Sequence, residues 1–312
     1  MKRTGSYGSL IYGLSHEQQL KDLDHIYETP LHIFPEIMGL KDQLRGIIPD
    51  RALCHLSDHF DVIGDIAVLS LSPYLCGYER TIADAIISRR RAIKTVLNKI
   101  SRLDGCNRTA RYEILAGRDT VTVHHEYGFA YQLDVGTVFY NPRLASERKR
   151  VTDQVQSGER VLIPFCGVGP FVIPAAARGA DIIAVEKNPE AYRWLARNVQ
   201  LNGVTDRVTI LLGDAFDTSV LPVYPFDRAI IPTPYGMDTI FDVLASRVKP
   251  GGMIHFTTFK NRNQADALVR EFEMKGFRVV VQRRCGNVAS SVSRWVFDLR
   301  VADTPSLGIF GK

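Results

Sequence analysis

The sequence predicts an α/β fold, in which a smaller α+β domain precedes a doubly wound, largely parallel sheet. After residue 143, short runs rich in Ile, Val and Leu alternate with helical segments, as in parallel sheets that are covered on both faces. Before that point, a strand, an amphipathic helix and several further strands follow one another without such alternation. The 312 residues are also long enough for about two domains.

The composition excludes several classes of protein. Hydrophobic residues make up 45% and charged residues 23%, which is typical of globular chains and not of disordered or collagen-like ones. No stretch approaches the roughly 20 apolar residues of a membrane span, and the first residues lack the apolar core of a secretory signal. Five widely spaced cysteines without a C-x-x-C pair predict neither disulfides nor a zinc ribbon. We therefore expect a cytoplasmic protein without a catalytic metal.

Basic residues are in mild excess and are unevenly placed. The formal net charge is +5, which is compatible with a nucleic-acid partner but also with a solvated, charged helix face. One stretch between residues 89 and 102 carries six Lys and Arg residues, and further basic residues lie between 143 and 150. If these residues contact phosphates, the binding set comprises Arg89, Arg90, Lys94, Lys99 and Arg143.

The chain divides into three segments. Residues 1–55 form an N-terminal extension, residues 56–140 the α+β domain, and residues 141–312 the domain with the parallel sheet. Within the α+β domain, Phe60–Leu71 reads as one buried strand because β-branched and apolar residues dominate it. Glu79–Ile100 has isoleucine and leucine at helical spacing, which predicts an amphipathic helix with basic outer faces. The last two strands, which no helix separates, predict an antiparallel pair at the end of the sheet.

The glycine loop, residues 165–170 (Phe-Cys-Gly-Val-Gly-Pro), connects the first strand of the parallel sheet to its helix. Glycines at that place allow a tight turn and close approach of a ligand to the backbone at a helix N-terminus. Glu186 ends the next strand 19 residues after Gly167, where a carboxylate can accept hydrogen bonds from ribose hydroxyls. The third glycine of a dinucleotide fingerprint is absent, which favours another nucleoside cofactor. A purely structural turn is the alternative.

These motifs resemble the class I S-adenosyl-L-methionine methyltransferases, whose sheet is Rossmann-like. In that class, the segment after the third strand holds the adenine, and Gly213-Asp214-Ala215 occupies that place here. The resemblance implies that S-adenosyl-L-methionine is the cofactor. The cofactor-binding residues that it implies are Phe165, Gly167, Gly169, Pro170, Glu186, Asp214 and Ala215.

Four stretches make the resemblance more specific. They are FDVIGDIAVL, YNPRLASERKR (residues 140–150), FCGVGPF and VEKNPEA. Together they resemble the archaeal and eukaryotic tRNA (guanine-37-N1)-methyltransferases and the related aminocarboxypropyl transferases of wybutosine synthesis. The resemblance covers about residues 55 to 300. It implies tRNA as the substrate and partner, the guanosine 3′ to the anticodon as the target, an RNA-binding role for the N-terminal domain, and no protein partner.

Methylation of guanine N1 requires a general base, because N1 carries a proton at neutral pH, and a cation near O6 to stabilise the developing charge. The resemblance implies that the family's general base corresponds to Glu147. It implies that the family's arginine that stabilises O6 corresponds to Arg108, with Arg111 as the second choice. Arg148 corresponds to a residue that contacts the cofactor in the family. An arginine can bind a carboxylate there through two parallel hydrogen bonds. Each residue also has an interpretation that does not need the resemblance. Glu147 is then an acidic residue in the first turn of a helix, where it opposes the helix dipole. Arg108 is then a surface arginine without a catalytic role, and Arg148 contacts a phosphate.

The sequence departs from the family in the fourth strand's loop. The N1-methyltransferases have Asn-Leu-Pro there, whereas this chain has Pro232-Thr233-Pro234. The wybutosine relatives also lack that asparagine, so aminocarboxypropyl transfer from the same cofactor is the second hypothesis. A tRNA-binding protein without catalysis is the third, although the retained loop glycines, Glu186 and Asp214 argue for an intact cofactor site.

Overall fold

Two β-sheets and a separate hairpin organise the protein in this computed structural model, which describes residues 39–101 and 110–303. The N-terminal sheet has the strand order β1-β2-β3-β4. Its strands are β1 (Asp61–Ile63), β2 (Ile66–Leu69), β3 (Thr95–Lys99) and β4 (Tyr112–Ala116). Helices α1 (Leu40–Leu44), α2 (Asp50–Leu53) and α3 (Glu79–Arg89) share one apolar core with this sheet.

The second sheet has seven strands in the order β12-β13-β11-β10-β7-β8-β9. Its strands are β7 (Arg160–Pro164), β8 (Asp181–Glu186), β9 (Val208–Leu212), β10 (Phe226–Ile231), β11 (Val248–Lys260), β12 (Phe277–Ala289) and β13 (Val292–Val301). Strands β7 to β11 pair in parallel, and β13 pairs antiparallel with both β11 and β12. The predicted doubly wound sheet with a terminal antiparallel pair is therefore confirmed.

Helices cover both faces of this sheet. They are α4 (Ala145–Thr152), α5 (Val172–Ala177), α6 (Pro189–Leu201), α7 (Ile240–Ala245) and α8 (Arg262–Met274). Strand β8 explains why the core strands are continuously apolar: Ile182 and Ala184 face the core under α5 and α6, whereas Ile183 and Val185 face the core under α7. None of the helices described in these residues has the length and apolar character of a membrane span.

A hairpin joins the two sheets. It comprises β5 (Val121–Glu126) and β6 (Phe129–Asp134), which pair antiparallel. On one side, Thr122 donates a hydrogen bond to Asp65 at the β1–β2 turn. On the other, Asn198 and Asn202 of α6 exchange hydrogen bonds with the backbone of β6. The hairpin thus contacts both parts of the chain, and the division at residue 140 stays a prediction.

Two sequence predictions about the N-terminal sheet are wrong. Phe60–Leu71 is not one strand, because Gly64, with φ +57°, turns the chain between β1 and β2. The helix predicted over Glu79–Ile100 ends at Arg89, and residues 95–99 form β3, parallel to β2. The β-branched Thr95 and Val96 are buried in that strand, so sheet pairing overrides a helical apolar spacing.

Candidate active site

A cavity of about 240 Å³ lies at the carboxyl ends of the parallel strands. The strand order reverses there, since β8 and β9 follow β7 on one side while β10 and β11 lie on the other. Such a switch point is where open α/β sheets bind ligands. The cavity is lined by these residues predicted from the sequence: Glu147, Arg148, Phe165, Gly167, Pro170, Glu186 and Asp214.

A larger open groove of about 880 Å³ lies at the opposite edge of the sheet. Its charged side chains pair with one another: Arg228 binds Glu159, and Lys249 binds Asp227. Volume alone therefore does not identify the site. The smaller cavity combines apolar walls with a few convergent polar groups, which is the pattern of ligand sites.

The glycine loop holds three residues in the left-handed region, namely Phe165 at φ +51°, Gly167 at +55° and Gly169 at +98°. A Cβ on Gly169 would lie 2.5 Å from the Leu195 side chain, so this glycine is needed for packing of the loop against α6. A Cβ on Gly167 would meet nothing closer than the Phe139 carbonyl oxygen at 4.0 Å. Gly167 therefore leaves space for a ligand at the backbone, and Gly169 does not line the cavity.

Glu186 ends β8 with its carboxylate beneath the glycine loop. It accepts hydrogen bonds of 2.8 Å from the backbone N–H groups of Gly167 and Asn188. Burial raises the pKa of Glu186, and these backbone donors oppose that rise. A carboxylate offers about four acceptor positions, so Glu186 keeps acceptor capacity for ligand hydroxyls.

The segment after β9 forms the next wall. Asp214 pairs with Lys187 at 2.7 Å, and hydrogen bonds from Lys187 and the Phe216 backbone lower the pKa of Asp214. The Phe165 and Phe216 rings meet edge to face, 6.4 Å between centroids. Ala215 is buried in the core under α7 and does not line the cavity. This wall therefore offers an apolar surface beside a carboxylate.

Glu147 lies in the first turn of α4 and is 7% exposed. Arg150, one turn later, donates to both carboxylate oxygens over 2.7–3.1 Å. Arg283 of β12 lies 3.8 Å from the same carboxylate. Cys285, also of β12, has a pKa raised to about 11 by burial and by the adjacent Glu147. The carboxylate is thus held in one orientation, and Glu147 lines the same cavity as the glycine loop.

Arg148 also lines the cavity, but its donors bind protein groups. The guanidinium donates to Glu126 through two nitrogens, to the Asn141 carbonyl at 3.0 Å and to Tyr140. Only 3% of the residue is exposed. The contact between Arg148 and a cofactor carboxylate stays a prediction. Arg108 lies outside the described residues, and Arg111 is exposed.

The predicted basic residues do not share one helix face. Arg89 is the last residue of α3, and Lys99 lies on β3. Lys94 lies in the connection between these two elements and forms an ion pair of 2.9 Å with Asp65. Two more have protein partners: Arg90 stacks over the Phe60 ring and Arg143 donates to Asp61 at 2.6 Å. Because surface pairs of this kind exchange readily with solvent, these residues keep the capacity to contact phosphates.

Sequence reasoning missed three polar residues behind Glu147. Asp298 binds Arg150, and His255 binds Asp298, on neighbouring strands β13 and β11. Arg228 of β10 binds the other side of His255. The available signal was a charged or titratable residue inside each of the largely apolar runs FDRAII, MIHFTTF and SRWVFDLR, since a charge in a buried strand requires a partner.

The Pro232-Thr233-Pro234 loop lines the cavity after β10. Thr233 is buried, and its hydroxyl and N–H both donate to the Ile231 carbonyl. The loop therefore offers a stiff wall and no side-chain amide. Among residues 39–101 and 110–303, no cluster of three or more His, Cys, Asp and Glu could hold a metal ion.

Comparison with known proteins identifies both parts of the chain. Residues 122–282 match the TRM5/TYW2 methyltransferase domain, and residues 40–120 match the TYW2 N-terminal domain. Of the solved structures, the complex of aTrm5 and tRNALeu has a TM-score of 0.76 at 25% identity, covering 84% of this chain and 78% of that one. TYW2 of P. horikoshii in complex with MeSAdo has a TM-score of 0.69 at 29% identity, covering 85% and 98%.

Three curated relatives have informative names. The chain is 34% identical over 239 residues to the tRNA (guanine(37)-N(1))-methyltransferase Trm5b of Pyrococcus abyssi, which covers 76% of this chain and 68% of that protein. It is 35% identical over 199 residues to the tRNA (guanine(37)-N(1))-methyltransferase of Danio rerio, covering 64% and 39%. It is 36% identical over 176 residues to the tRNA(Phe) (4-demethylwyosine(37)-C(7)) aminocarboxypropyltransferase of Pyrococcus horikoshii, covering 55% and 63%.

The chain therefore spans 39% of the fish relative's length and 68% of the length of Trm5b. The methyltransferase-domain match covers more than half of the 312 residues. By that match and by its identity with Trm5b, the chain belongs to the TRM5/TYW2 methyltransferase family.

Proposed function

We propose that this protein is a tRNA (guanine-37-N1)-methyltransferase that uses S-adenosyl-L-methionine. The observation that carries the proposal is the cavity that Glu147 and the glycine loop line together. Methylation of a ring nitrogen that carries a hydrogen needs a general base to remove that proton. The base and the cofactor site must line the same cavity, so that the reacting groups meet in a productive geometry. Relatives named for this activity, at 34% and 35% identity, support the proposal.

The residues of the cavity fit S-adenosyl-L-methionine. Glu186 keeps acceptor capacity for ribose hydroxyls, and Gly167 leaves open space at the backbone. The Phe165 and Phe216 rings offer an apolar surface to an adenine, beside Asp214. When bound, the cofactor supplies an electrophilic methyl group. We assign to this site Arg148, Phe165, Gly167, Gly169, Pro170, Glu186, Asp214 and Ala215; Gly169 and Ala215 act through packing of the loop and wall.

Glu147 is the proposed general base that takes the proton from guanine N1. Its position among the lining residues of the cavity supports this role, and its burial limits competition from water. Charge that develops at O6 needs a nearby cation. We propose Arg108 for that role on the family resemblance.

tRNA is the proposed substrate, and the N-terminal domain is proposed to bind it. The solved complex of a relative with tRNALeu supports this partner. Arg89, Arg90, Lys94, Lys99 and Arg143 are the proposed phosphate contacts, and four of them follow one another between the end of α3 and β3. We keep the division into residues 1–55, 56–140 and 141–312 as the proposed domain organisation, with the β5–β6 hairpin as the link.

Aminocarboxypropyl transfer from the same cofactor is the second candidate function. Residues 40–120 match the TYW2 N-terminal domain, and the loop after β10 has Pro232-Thr233-Pro234 in place of Asn-Leu-Pro. For this reaction a different carbon of the cofactor would face the acceptor, while the glycine loop and Glu186 would serve unchanged.

The two functions are separated by an experiment with two labelled cofactors. The protein is incubated with unmodified tRNA and, separately, with tRNA that carries 4-demethylwyosine at position 37, the acceptor in the name of the aminocarboxypropyl relative. The S-adenosyl-L-methionine carries the label either in the methyl group or in the carboxyl group. Methylation transfers only the methyl label to tRNA, and aminocarboxypropyl transfer only the carboxyl label. Failure of both labels to reach tRNA, while the cofactor binds, favours a tRNA-binding protein without catalysis.

We also propose that the protein acts in the cytoplasm. The four described cysteines, Cys54, Cys76, Cys166 and Cys285, are free thiols, as in a reducing compartment. Fractionation of the source cells with an antibody against the chain tests this proposal.

A further inference from the structure

A row of buried charges crosses the face of the seven-stranded sheet that lies beneath α4. It runs from Arg228 on β10 through His255 on β11 to Asp298 on β13, and then to Arg150 on α4. His255 and Asp298 are directly opposite each other in the antiparallel register. The exposed fractions of Arg228, His255 and Asp298 are 5%, 2% and 1%. The row ends at the Glu147 carboxylate.

The donors and acceptors of this row allow one arrangement. Arginine has no acceptor, so the His255 Nε2 atom, 2.7 Å from Arg228 Nη1, must accept. The proton of a neutral ring then lies on Nδ1, which donates to Asp298 Oδ1 at 2.7 Å. Burial lowers the pKa of His255, although Asp298 opposes that shift, and this direction agrees with the neutral ring that the Arg228 donor requires. Arg228 is itself fixed by two hydrogen bonds to Glu159, at 2.8 and 2.9 Å.

Asp298 fixes the Arg150 guanidinium. Arg150 donates from Nη1 to Asp298 Oδ2 at 2.6 Å and from Nη2 to Oδ1 at 2.9 Å. Burial alone would raise the pKa of Asp298, but its hydrogen bonds from Arg150 and His255 hold that pKa well below its ordinary value. Arg150 also donates to Glu147 from Nε and Nη2. One guanidinium is therefore shared between a buried anchor and the carboxylate in the cavity.

Stability alone is a weak reason for such a row. Buried ion pairs cost desolvation, and apolar residues of similar volume often replace them without loss of stability. A row that terminates on a cavity carboxylate also fixes the direction in which that carboxylate points. We propose that Arg150 positions Glu147 for proton removal and that Asp298, held by His255, positions Arg150. This inference rests on the function proposed above.

The other charged and titratable groups around Glu147 are not connected to the row. Arg283 and Cys285 of β12 contact the carboxylate, and Arg148, Arg294 and Glu186 line the same cavity. In the part of the chain that it describes, the structure shows no hydrogen bond from any of these five residues to Arg150 or Asp298, so we expect them to keep their positions when either residue is replaced. A change in the pH–rate profile on replacement of either residue therefore reports the loss of Arg150 or of its anchor.

The test measures single-turnover transfer to tRNA as a function of pH. Arg150→Met removes a cation beside Glu147, so we expect the rate to fall about 10- to 100-fold and its acid limb to move to higher pH. Asp298→Asn removes the anchor and places an amide donor against Arg150 or His255, so the rate should fall and the acid limb should move in the same direction as in Arg150→Met, by a smaller amount. Arg150→Lys should recover part of the rate. Cofactor affinity should stay within about twofold of wild type in all three.

Lys149→Met and Asp153→Asn are the matched controls. Lys149 lies on α4 and Asp153 just after it, and their exposed side chains form an ion pair of 2.6 Å. Neither side chain contacts Glu147. The controls should leave rate and acid limb unchanged. If wild type is active but Arg150→Met and Asp298→Asn keep the wild-type rate and acid limb, or shift the acid limb in opposite directions, the inference is wrong. If Arg150→Met does not fold, the Arg150→Lys and Asp298→Asn profiles decide the question. A wild type without transfer activity contradicts the proposed function instead.

Discussion

At the level of single residues, Glu147 and Glu186 illustrate two different environments for a carboxylate. Glu186 receives two backbone N–H groups and is set by the strand that it ends. Glu147 accepts hydrogen bonds from Arg150, whose position is fixed by Asp298, a residue far away in the sequence. The first environment follows from local geometry and could be predicted from the motif. The second depends on strands β11 and β13, which no spacing in the sequence connects to Glu147.

Glu147→Gln should reduce the single-turnover rate about a hundredfold or more, because the amide keeps the shape but cannot accept the proton. Affinities for tRNA and cofactor should be nearly unchanged. Glu273→Gln, on the exposed side of α8, is the control substitution and should have the wild-type rate. A fully active glutamine variant would show that Glu147 is only a helix acid.

Glu186→Gln should weaken binding of S-adenosyl-L-methionine about tenfold or more. The amide retains one acceptor oxygen but places a donor against the backbone N–H groups of Gly167 or Asn188, at a cost of about 1–3 kcal/mol. Calorimetric titration measures the affinity, with the exposed Glu190→Gln on α6 as the control. Equal affinity for the glutamine variant and wild type would remove Glu186 from the cofactor site.

At the level of elements, the strand–loop–helix unit around the glycine loop was predicted well because its determinants are local. A short apolar run, two glycines and a following acid lie within 30 residues. The β2–α3–β3 unit was predicted poorly. Apolar residues at helical spacing continue through Thr95–Lys99. Pairing with β2 and β4 and burial of both faces make this segment a strand.

Alanine at the two glycines of the loop should separate packing from binding. Gly169→Ala should lower the free energy of unfolding by about 1–3 kcal/mol, because a Cβ collides with Leu195 at a positive φ. Gly167→Ala should cost about 1–2 kcal/mol from its backbone alone and should in addition reduce cofactor affinity. Denaturant unfolding and calorimetry measure the two effects.

Gly203→Ala is the control for these variants, since Gly203 also has a positive φ and its Cβ would meet nothing within 4 Å. It should resemble Gly167→Ala in stability but retain wild-type cofactor affinity. A Gly167→Ala variant with wild-type affinity would argue against close approach of the cofactor at that backbone position.

The basic residues between α3 and β3 should govern the salt dependence of tRNA binding. Neutralising Arg89, Arg90, Lys94 or Lys99 to Gln should each reduce the slope of log Kd against log salt by about one. The control is Arg207→Gln, because Arg207 pairs with Asp181 at the amino end of β8, away from the cavity. A slope that stays at the wild-type value in all four variants would mean that these residues only solvate the surface.

At the level of the whole molecule, the hairpin of β5 and β6 gives the two sheets a common framework. It binds the β1–β2 turn on one side and α6 on the other, and its apolar residues share a core with β7 and β8. The parallel sheet and its antiparallel end could be predicted from alternation alone. The hairpin's position could not, because it depends on asparagine side chains of α6 that bind backbone 66 and 72 residues away.

The measurement that tests the account most directly is nucleoside mass spectrometry of tRNA after incubation with the protein and S-adenosyl-L-methionine. Digestion with a base-specific nuclease first locates the modified position. We expect 1-methylguanosine at the position 3′ to the anticodon, and its absence when Glu147 is replaced by Gln. An aminocarboxypropyl-modified base at that position, or a methyl group on another atom or another nucleotide, would contradict the proposed reaction.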